Sequence, residues 1–530
     1  MNIDNFFQLC KSKINNPNIH RTLFFIILII GIFARIWQIR SLPPGLNPDE
    51  ASIGVDAFDL LHYGMDRNGV QFPVQFISWG SGQNALYGYI LIPIIALIGL
   101  TPFAVRVPML LSGLATLPLS YYAAKETLNE EFGLLSMFFL AISPWHVMLS
   151  RWGLESNLFP FVFLAGYTCL LNVRKNDKWF IVASVWTGLC FYAYGTAYAM
   201  IPIFTVCAII ILTRHKLLGP KSLIVGLSVL AILAAPIGMF ILVNAFKLNS
   251  IQVGPVTIPR LPVEARFVAT TMFSAADQVQ VIRNNLSAAI DLLITQSDGL
   301  PYNAISLYGY FYKITFPLEL IGIVLLFVGL KSEKHVENKL LLAWIGASIP
   351  ISILQQVNIN RFNIIFIPLI LCTALSIYWL GRHFRAVLIV SVIGLLAGFV
   401  FFTISYHGKE YHQVVSLQFH DGLLPALEFA QSIESIPICV GDSSNPYIFA
   451  LFTEHTTPTN YLKSVKYSNP KGPIRSVSSF GRYTFGWSNC HDSPVPIRIL
   501  IAGSTAPIAP TGYTYNVKFF DNYAVYYPTR

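Results

Sequence analysis

Long apolar runs, rather than amphipathic alternation, set the pattern of this chain. Twelve runs able to span a bilayer core of about 30 Å fall near residues 22–39, 84–100, 103–124, 132–149, 157–173, 179–195, 196–213, 222–244, 315–330, 339–355, 363–381 and 386–405. The polar breaks carry positive charge in short groups: Lys11/Lys13/Arg21, Arg174/Lys175/Lys178, Arg214/Lys216/Lys221, Lys331/Lys334/Lys339 and Arg382/Arg385. Such groups mark cytoplasmic connections. They leave 150–156, 245–314, 356–362 and 406–530 on the outer side. After about residue 406 the apolar runs stop. A helix over 423–435 and β-type runs over 436–440, 497–502, 515–520 and 523–527, separated by Gly, Pro, Asn and Ser turns, predict a small α/β domain there.

Parity constrains the crossings. An N-terminus inside and a C-terminal region outside require an odd number, yet twelve runs are present. Working back from the Arg174 group, 157–173 and 132–149 form a pair and 125–131 is cytoplasmic. Only one crossing then fits between 84 and 124. The longer run, 103–124, is assigned to it, and 84–100, with Pro93 and Gly99, becomes an in-plane or re-entrant helix. The expected fold is an α-helical polytopic membrane protein with about 11 to 13 transmembrane helices. Its parts are a cytoplasmic tail (1–21), a transmembrane region (22–405) with outer loops 40–83 and 245–314, and an extracytoplasmic α/β domain (406–530).

Composition agrees with this. The chain is 54% apolar and 12% charged, with a mean hydropathy of +0.58, against about 25% charged residues in soluble domains. The net charge of +9 lies in the connecting groups, which argues against a nucleic-acid surface. Cys169, Cys190, Cys207 and Cys372 sit inside apolar runs as small hydrophobes, and Cys10 lies in the tail. Cys439 and Cys490 share the polar C-terminal region, where a disulfide is an open option. The first run follows Lys11, Lys13 and Arg21 without a small-residue cleavage site, and it reads as a retained anchor.

This topology collects Asp49, Glu50, Arg106, Arg151, Glu155 and Arg361 at the outer face. Each has an ordinary explanation. Pro48-Asp49-Glu50 opens an amphipathic helix with Ile53, Ala57, Leu60 and Leu61 on one face, and acids there complement the helix dipole. Asp56, Asp59 and Asp66 are expected to face water. Arg106 and Arg361 would snorkel to the interface, and Arg151 and Glu155 form an i,i+4 pair. Taken together they offer more. A transferase with a phosphate-linked donor needs cations on the departing phosphate and a carboxylate to take the acceptor's proton.

The ordered series Asn47-Pro48-Asp49-Glu50-Ala51-Ser52-Ile53-Gly54, Asn84-Ala85-Leu86-Tyr87, Ala104-Val105-Arg106-Val107-Pro108, Ser143-Pro144-Trp145-His146 and Ser150-Arg151-Trp152-Gly153-Leu154-Glu155 resembles the family 39 glycosyltransferases of the GT-C superfamily. The resemblance covers roughly residues 20–400. It implies a membrane enzyme that moves one sugar from a polyprenyl-phosphate donor to a glycan, lipid or protein acceptor outside the cytoplasmic membrane, with inversion. Asp49 corresponds to the catalytic base, with Glu50 and Glu155 as its acidic partners. Arg106, Arg361 and Arg151 are the cations expected at the donor phosphate. Gln83, Asn84, Tyr87, His146, Tyr308 and Tyr310 are the expected substrate contacts. Where the family's aminoarabinose transferase has Glu-Lys-Pro-Pro, this chain reads Gly82-Gln83-Asn84-Ala85. It therefore lacks that phosphate-binding lysine and one metal ligand. No cofactor is obligatory on this reading, and Mg²⁺ or Mn²⁺ at the carboxylates stays open.

Two further classes stay open. A ligase or polymerase acting on a lipid-diphosphate glycan would use the same scaffold. A transporter or flippase would call for paired halves and mid-membrane ionisable residues. The outer loop 245–314 carries Arg260, Glu264, Arg266, Arg283 and the aromatics Tyr302, Tyr308, Tyr310, Phe311 and Tyr312. These read first as an interfacial belt, with a lid over the acceptor as the alternative.

Overall fold

The computed structural model describes residues 17–263, 271–274, 277–329, 336–433, 436–441, 445–472, 475–491, 496–504 and 514–529. Cys10, Lys11, Lys13, Glu264, Arg266, Lys331 and Lys334 lie outside them. Helix α1 (Pro17–Ile36) is followed by α2 (Pro48–Tyr63), α3 (Leu86–Ile98), α4 (Pro102–Thr127), α5 (Glu130–Ile142), α6 (Pro144–Leu149), α7 (Glu155–Leu171), α8 (Trp179–Ala193), α9 (Ala197–Arg214) and α10 (Pro220–Ala245). The connection 245–314 carries α11 (Gln278–Thr295), and after it come α12 (Phe316–Gly329), α13 (Val336–Leu354), α14 (Ile359–Phe362), α15 (Phe366–His383) and α16 (Arg385–Tyr406).

Eight helices among the described residues are long and apolar enough to cross a membrane. The helix α3, with 13 residues, rises only about 20 Å, short of a bilayer core. The 26 residues of α4 rise about 39 Å. These lengths agree with a single crossing between 84 and 124. The run 132–149 is not one helix: Ser143, at ψ 122°, breaks it and caps α6 with Pro144 in its first turn. The packing sorts the spans. The α7 region is mostly buried, whereas α10 and α16 expose most of their apolar side chains, as helices facing lipid do.

At one end of the bundle, the acidic connection 125–131 meets the Arg174 group. Glu126 pairs with Arg174 at 3.2 Å and with Lys175 at 2.7 Å, and Arg174 also pairs with Glu337. Lys125 and His20 both reach Glu130, at 2.6 and 2.9 Å. The net-acidic connection therefore sits beside a positive one, and their charges offset each other.

The chain after α16 adds α17 (Lys409–Ser416), α18 (Leu423–Ser432), α19 (Tyr447–Glu454), α20 (Pro458–Ser464) and α21 (Trp487–His491). In chain order the strands are β1 (Gln75–Phe76), β2 (Gln83–Asn84), β3 (Ile251–Val253), β4 (Val256–Ile258), β5 (Ile438–Val440), β6 (Lys466–Tyr467), β7 (Val477–Phe480), β8 (Tyr483–Phe485), β9 (Ile497–Ile501), β10 (Thr514–Phe520) and β11 (Tyr523–Thr529). The C-terminal strands form one mixed sheet of order β10-β11-β9-β5-β8-β7-β6. The central strand β5 runs parallel to β8 and β9, and its residues are fully buried. Cys439, on that strand, is disulfide-bonded to Cys490. One continuous apolar cluster runs from the helices into this sheet, and α19 packs on α2. The sheet unit is thus joined to the connection 40–83, the loop expected on the outer side.

That loop is more structured than a surface connection, and the second carries the β3–β4 hairpin and α11. In the first, Asn47 caps α2: its side chain accepts from the Asp49 N–H at 2.9 Å, and its own N–H donates to Glu50 at 3.0 Å, a reciprocal capping box. Pro48 suits the first turn. Gly64, at φ 68°, closes the helix in the left-handed region with its N–H on Leu60 O. Ile53, Ala57 and Leu60 are buried as the pattern predicts, but so are Asp56, Asp59 and Asp66. The expectation that these acids face water is corrected. Arg67 folds back between them, 2.8 Å from Asp56, and the loop closes over both faces of α2.

Candidate active site

A cavity of about 190 Å³ opens at the end of the bundle away from the Arg174 group, lined by Asp49, Trp79, Gln83, Glu155, Tyr302 and Arg361, with Ser78, Asn358 and Asn360 adding polar atoms. Six chain segments meet there: the start of α2, the turn leading into β2, the start of α7, the turn after α8 at Tyr194, the stretch around Tyr302 that follows α11, and the connection around α14. Its wall is mainly polar, unlike the apolar surfaces of the bundle.

The adjacent acids Asp49 and Glu50 have separate roles. Half-buried Asp49 faces the cavity, and its Oδ1 accepts from Trp79 Nε1 at 2.9 Å. Glu50 is fully buried. Its Oε1 accepts from Arg106 Nε at 3.0 Å and Gly153 N at 2.8 Å, and its Oε2 from Asn47 N at 3.0 Å and Arg106 Nη2 at 3.2 Å. Every donor around it is fixed, so Glu50 locks the start of α2 to α4 and to the turn before α7.

Arg106 and Arg151 are not brought to the cavity. Arg106, 1% exposed, spends its remaining donors on Pro43 O and Gly45 O at 2.8 and 2.9 Å. Arg151 donates to the carbonyls of Ala34, Arg35, Trp37 and Leu42 at 2.6–3.2 Å. It caps the end of α1, where unpaired carbonyls favour a cation, instead of forming the expected local pair with Glu155. Of the three arginines expected at phosphate, Arg361 alone lines the cavity. Asn358 caps the short helix that carries it, and one of its guanidinium nitrogens donates to Gln356 O at 2.9 Å.

The expected substrate contacts divide in the same way. Gln83 lines the cavity and accepts from Ser52 Oγ at 3.2 Å. Its neighbour Asn84 donates to Phe191 O and Tyr198 OH, both at 3.2 Å. Tyr87 is buried with its hydroxyl on Val105 O at 2.7 Å. His146 Nδ1 receives Arg35 Nη2 at 2.6 Å inside the bundle. Tyr310 donates to Glu319 at 2.7 Å, and Tyr308 meets Ser405 at 2.7 Å. Tyr310, Phe311 and Tyr312 are buried, which corrects the interfacial-belt reading for them. They pack under the bundle end, where Tyr310 O accepts from Trp145 N and Ser143 Oγ.

Sequence reading did not single out Trp79, Arg67, Asn358 or Asn360, and it gave Tyr302 to the belt. The segment Ser78-Trp79-Gly80-Ser81-Gly82 did carry a signal, an aromatic inside a glycine turn. Arg67 had none, because its partners Asp56, Ser52 O and Ser78 are set by the loop's closure. Burial, then the negative charges of Asp298 and Asp49, push the Tyr302 phenol up, so it stays a neutral hydroxyl able to donate. Among Asp56, Asp59 and Asp66, burial is the largest cause of an upward shift, to about 6, about 8 and about 7. Asp56 adds to it through its charge on the other two. Burial works against the Arg67 charge, but Asp56 holds its pKa above the ordinary value.

Among the described residues, no three His, Cys, Asp or Glu side chains are arranged to hold a metal ion. Asp49 and Glu155 are the carboxylates at the cavity, and two do not make such a set.

Residues 84–240 match the family model described as dolichyl-phosphate-mannose-protein mannosyltransferase. No curated protein matches the sequence. The structure is similar to that of ArnT from Cupriavidus metallidurans in the apo state, at 11% identity over 95% of this chain and 97% of that one, with a TM-score of 0.55. ArnT bound to undecaprenyl phosphate matches at 12% identity over 96% and 98%, also at 0.55. The oligosaccharyltransferase of Archaeoglobus fulgidus in the apo form matches at 13% identity and a TM-score of 0.46 over 82% of this chain, which spans 64% of its length.

Proposed function

We propose that this chain, whose fold and family match are those of a GT-C glycosyltransferase, moves a single sugar from a polyprenyl-phosphate donor to an acceptor hydroxyl. The observation that carries the proposal is that Asp49 and Arg361 face one small polar cavity. The acceptor oxygen attacks the anomeric carbon and gives its proton to Asp49. The bond from that carbon to the phosphate oxygen breaks, and its electron pair leaves with the lipid phosphate. Arg361 offsets the charge that develops there. A single displacement inverts the anomeric centre. Glu155 orients the acceptor, and Gln83, Tyr302 and the two asparagines are placed to hydrogen-bond sugar hydroxyls. Glu50 and Arg106 take a positioning part, since both hold the helix that carries Asp49.

Several features support this reading. The lipid phosphate named for an ArnT structure of the same fold suits a cation at the end of an apolar bundle. The positive-inside rule and the Cys439–Cys490 disulfide, which suits an oxidising compartment, support a cavity on the outer face of the cytoplasmic membrane. The 190 Å³ of space suits one sugar ring better than a whole glycan. Purified protein in liposomes is to be given radiolabelled polyprenyl-phosphate sugars and, separately, a lipid-diphosphate oligosaccharide, with membrane extracts as acceptors. Label transfer from the monophosphate donor is expected. Transfer only from the diphosphate glycan overturns the proposal in favour of a ligase.

A further inference from the structure

We propose that Trp79 is the positioning residue of the base, and that the C-terminal sheet unit holds Trp79 in place. The inference rests on Asp49 acting as the base. An indole N–H only donates, and a buried one needs an acceptor. At 5% exposure, Trp79 finds that acceptor in Asp49 Oδ1 at 2.9 Å. The terminal torsion of an aspartate is soft, so an unanchored carboxylate rotates away from its working orientation. With Oδ1 tied to the indole, the second oxygen is left to take the acceptor's proton.

The backbone at Trp79 shows that its placement is enforced. Its φ is +52°, a region that bulky residues avoid and keep only where their surroundings demand it. The demand comes from two sides. From the first outer loop, Arg67, anchored on Asp56, lies 5.7 Å over the indole ring. From the C-terminal unit, the Arg475 N–H donates to Trp79 O at 2.9 Å, and Tyr447, at the start of α19, meets the indole edge-on with centroids 5.9 Å apart. Gly80, at φ +85°, admits this approach: a Cβ there would lie 2.5 Å from Arg475 Cδ. The sheet unit therefore stands one side chain behind the base.

The test uses the full-length protein in liposomes with its polyprenyl-phosphate-sugar donor. Trp79→Phe keeps a ring and removes the donor, and Tyr447→Leu removes the ring behind it. Melting temperatures select variants that remain folded. For Trp79→Phe, kcat is expected to fall about 10- to 100-fold, the worth of a hydrogen bond to a charged group, with donor and acceptor KM unchanged. Tyr447→Leu is expected to lower kcat in the same direction by a smaller factor. Wild-type kcat in folded Trp79→Phe overturns the proposal, and so does a raised KM at unchanged kcat, which would make the indole a substrate contact. Wild-type kcat in folded Tyr447→Leu overturns the part given to the C-terminal unit. Asp49→Asn is measured alongside: if it retains activity, the base assignment fails, independently of Trp79.

Discussion

Replacing Arg106 with Met separates two roles that one arginine can play at the mouth of a membrane enzyme. In the structure its guanidinium is 1% exposed and donates to both Glu50 oxygens and to Pro43 and Gly45 carbonyls. Met keeps much of the volume and removes all four bonds. Glu50, itself fully buried, would keep only its bonds from Asn47 and Gly153. Leaving one member of a buried ion pair uncompensated costs about 3–5 kcal/mol. The melting temperature in detergent is therefore expected to fall by about 3–5 °C for a chain of this length, with activity lost as the α2 start loosens. Adding Glu50→Gln should restore part of the melting temperature, because the stranded charge is removed. Arg361→Ala is the contrast. Its half-buried side chain lines the cavity, so activity should drop about 100-fold, as for other groups aimed at developing charge, with the melting temperature within ~2 °C of wild type. An Arg106→Met protein that keeps its melting temperature while losing donor binding would refute this division and return Arg106 to the phosphate.

Two further outcomes follow from the buried acids and from the bundle ends. Asp59 has an ordinary pKa of 3.8 and is pushed to about 8 in the folded chain, so folding favours its neutral form. The stability this gives is complete below about pH 4 and is lost as pH rises towards about 8; Asp59→Asn should therefore raise the melting temperature more at pH 8 than at pH 5, and an equal gain at both would count against the shift. Leu128, 43% exposed in the 125–131 connection, is expected to be cytoplasmic: Leu128→Cys should react with a membrane-impermeant thiol reagent only after cells are opened, with the unsubstituted chain as control, and labelling in intact cells would reverse the orientation.

What could be read from the sequence was what its neighbours along the chain decide. Pro48 followed by Asp49 and Glu50 marks a helix start because first-turn proline and acids act on their own helix end, and β9, β10 and β11 were visible because alternation is local. The parity count made 84–100 the exception on charge and connectivity, and the 13 residues of α3 accord with that without deciding it, since α5 is equally short. What the residues' own chemistry could not decide, and only the resemblance supplied, was which of two adjacent acids faces the cavity. Asp49 and Glu50 are chemically alike, and the choice depends on Arg106 and Gly153, 56 and 103 residues away. The same holds for Arg67 among Asp56, Asp59 and Asp66: a polar loop looks solvated until the sheet unit and α4 close over it. Arg151 and Glu155 have helix-pair spacing, but the loop turns between them and sends Arg151 to the end of α1.

The most direct measurement of the central claim is sugar transfer by Asp49→Asn protein, reconstituted in liposomes with a radiolabelled polyprenyl-phosphate sugar that the wild type uses. The substitution keeps size and polarity, and the Asn oxygen still accepts from Trp79, but no base remains to take the acceptor's proton. The account predicts a normal melting temperature, normal donor binding and a turnover lower by about 10²- to 10⁴-fold, the usual contribution of a general base. Transfer at the wild-type rate by Asp49→Asn would contradict it.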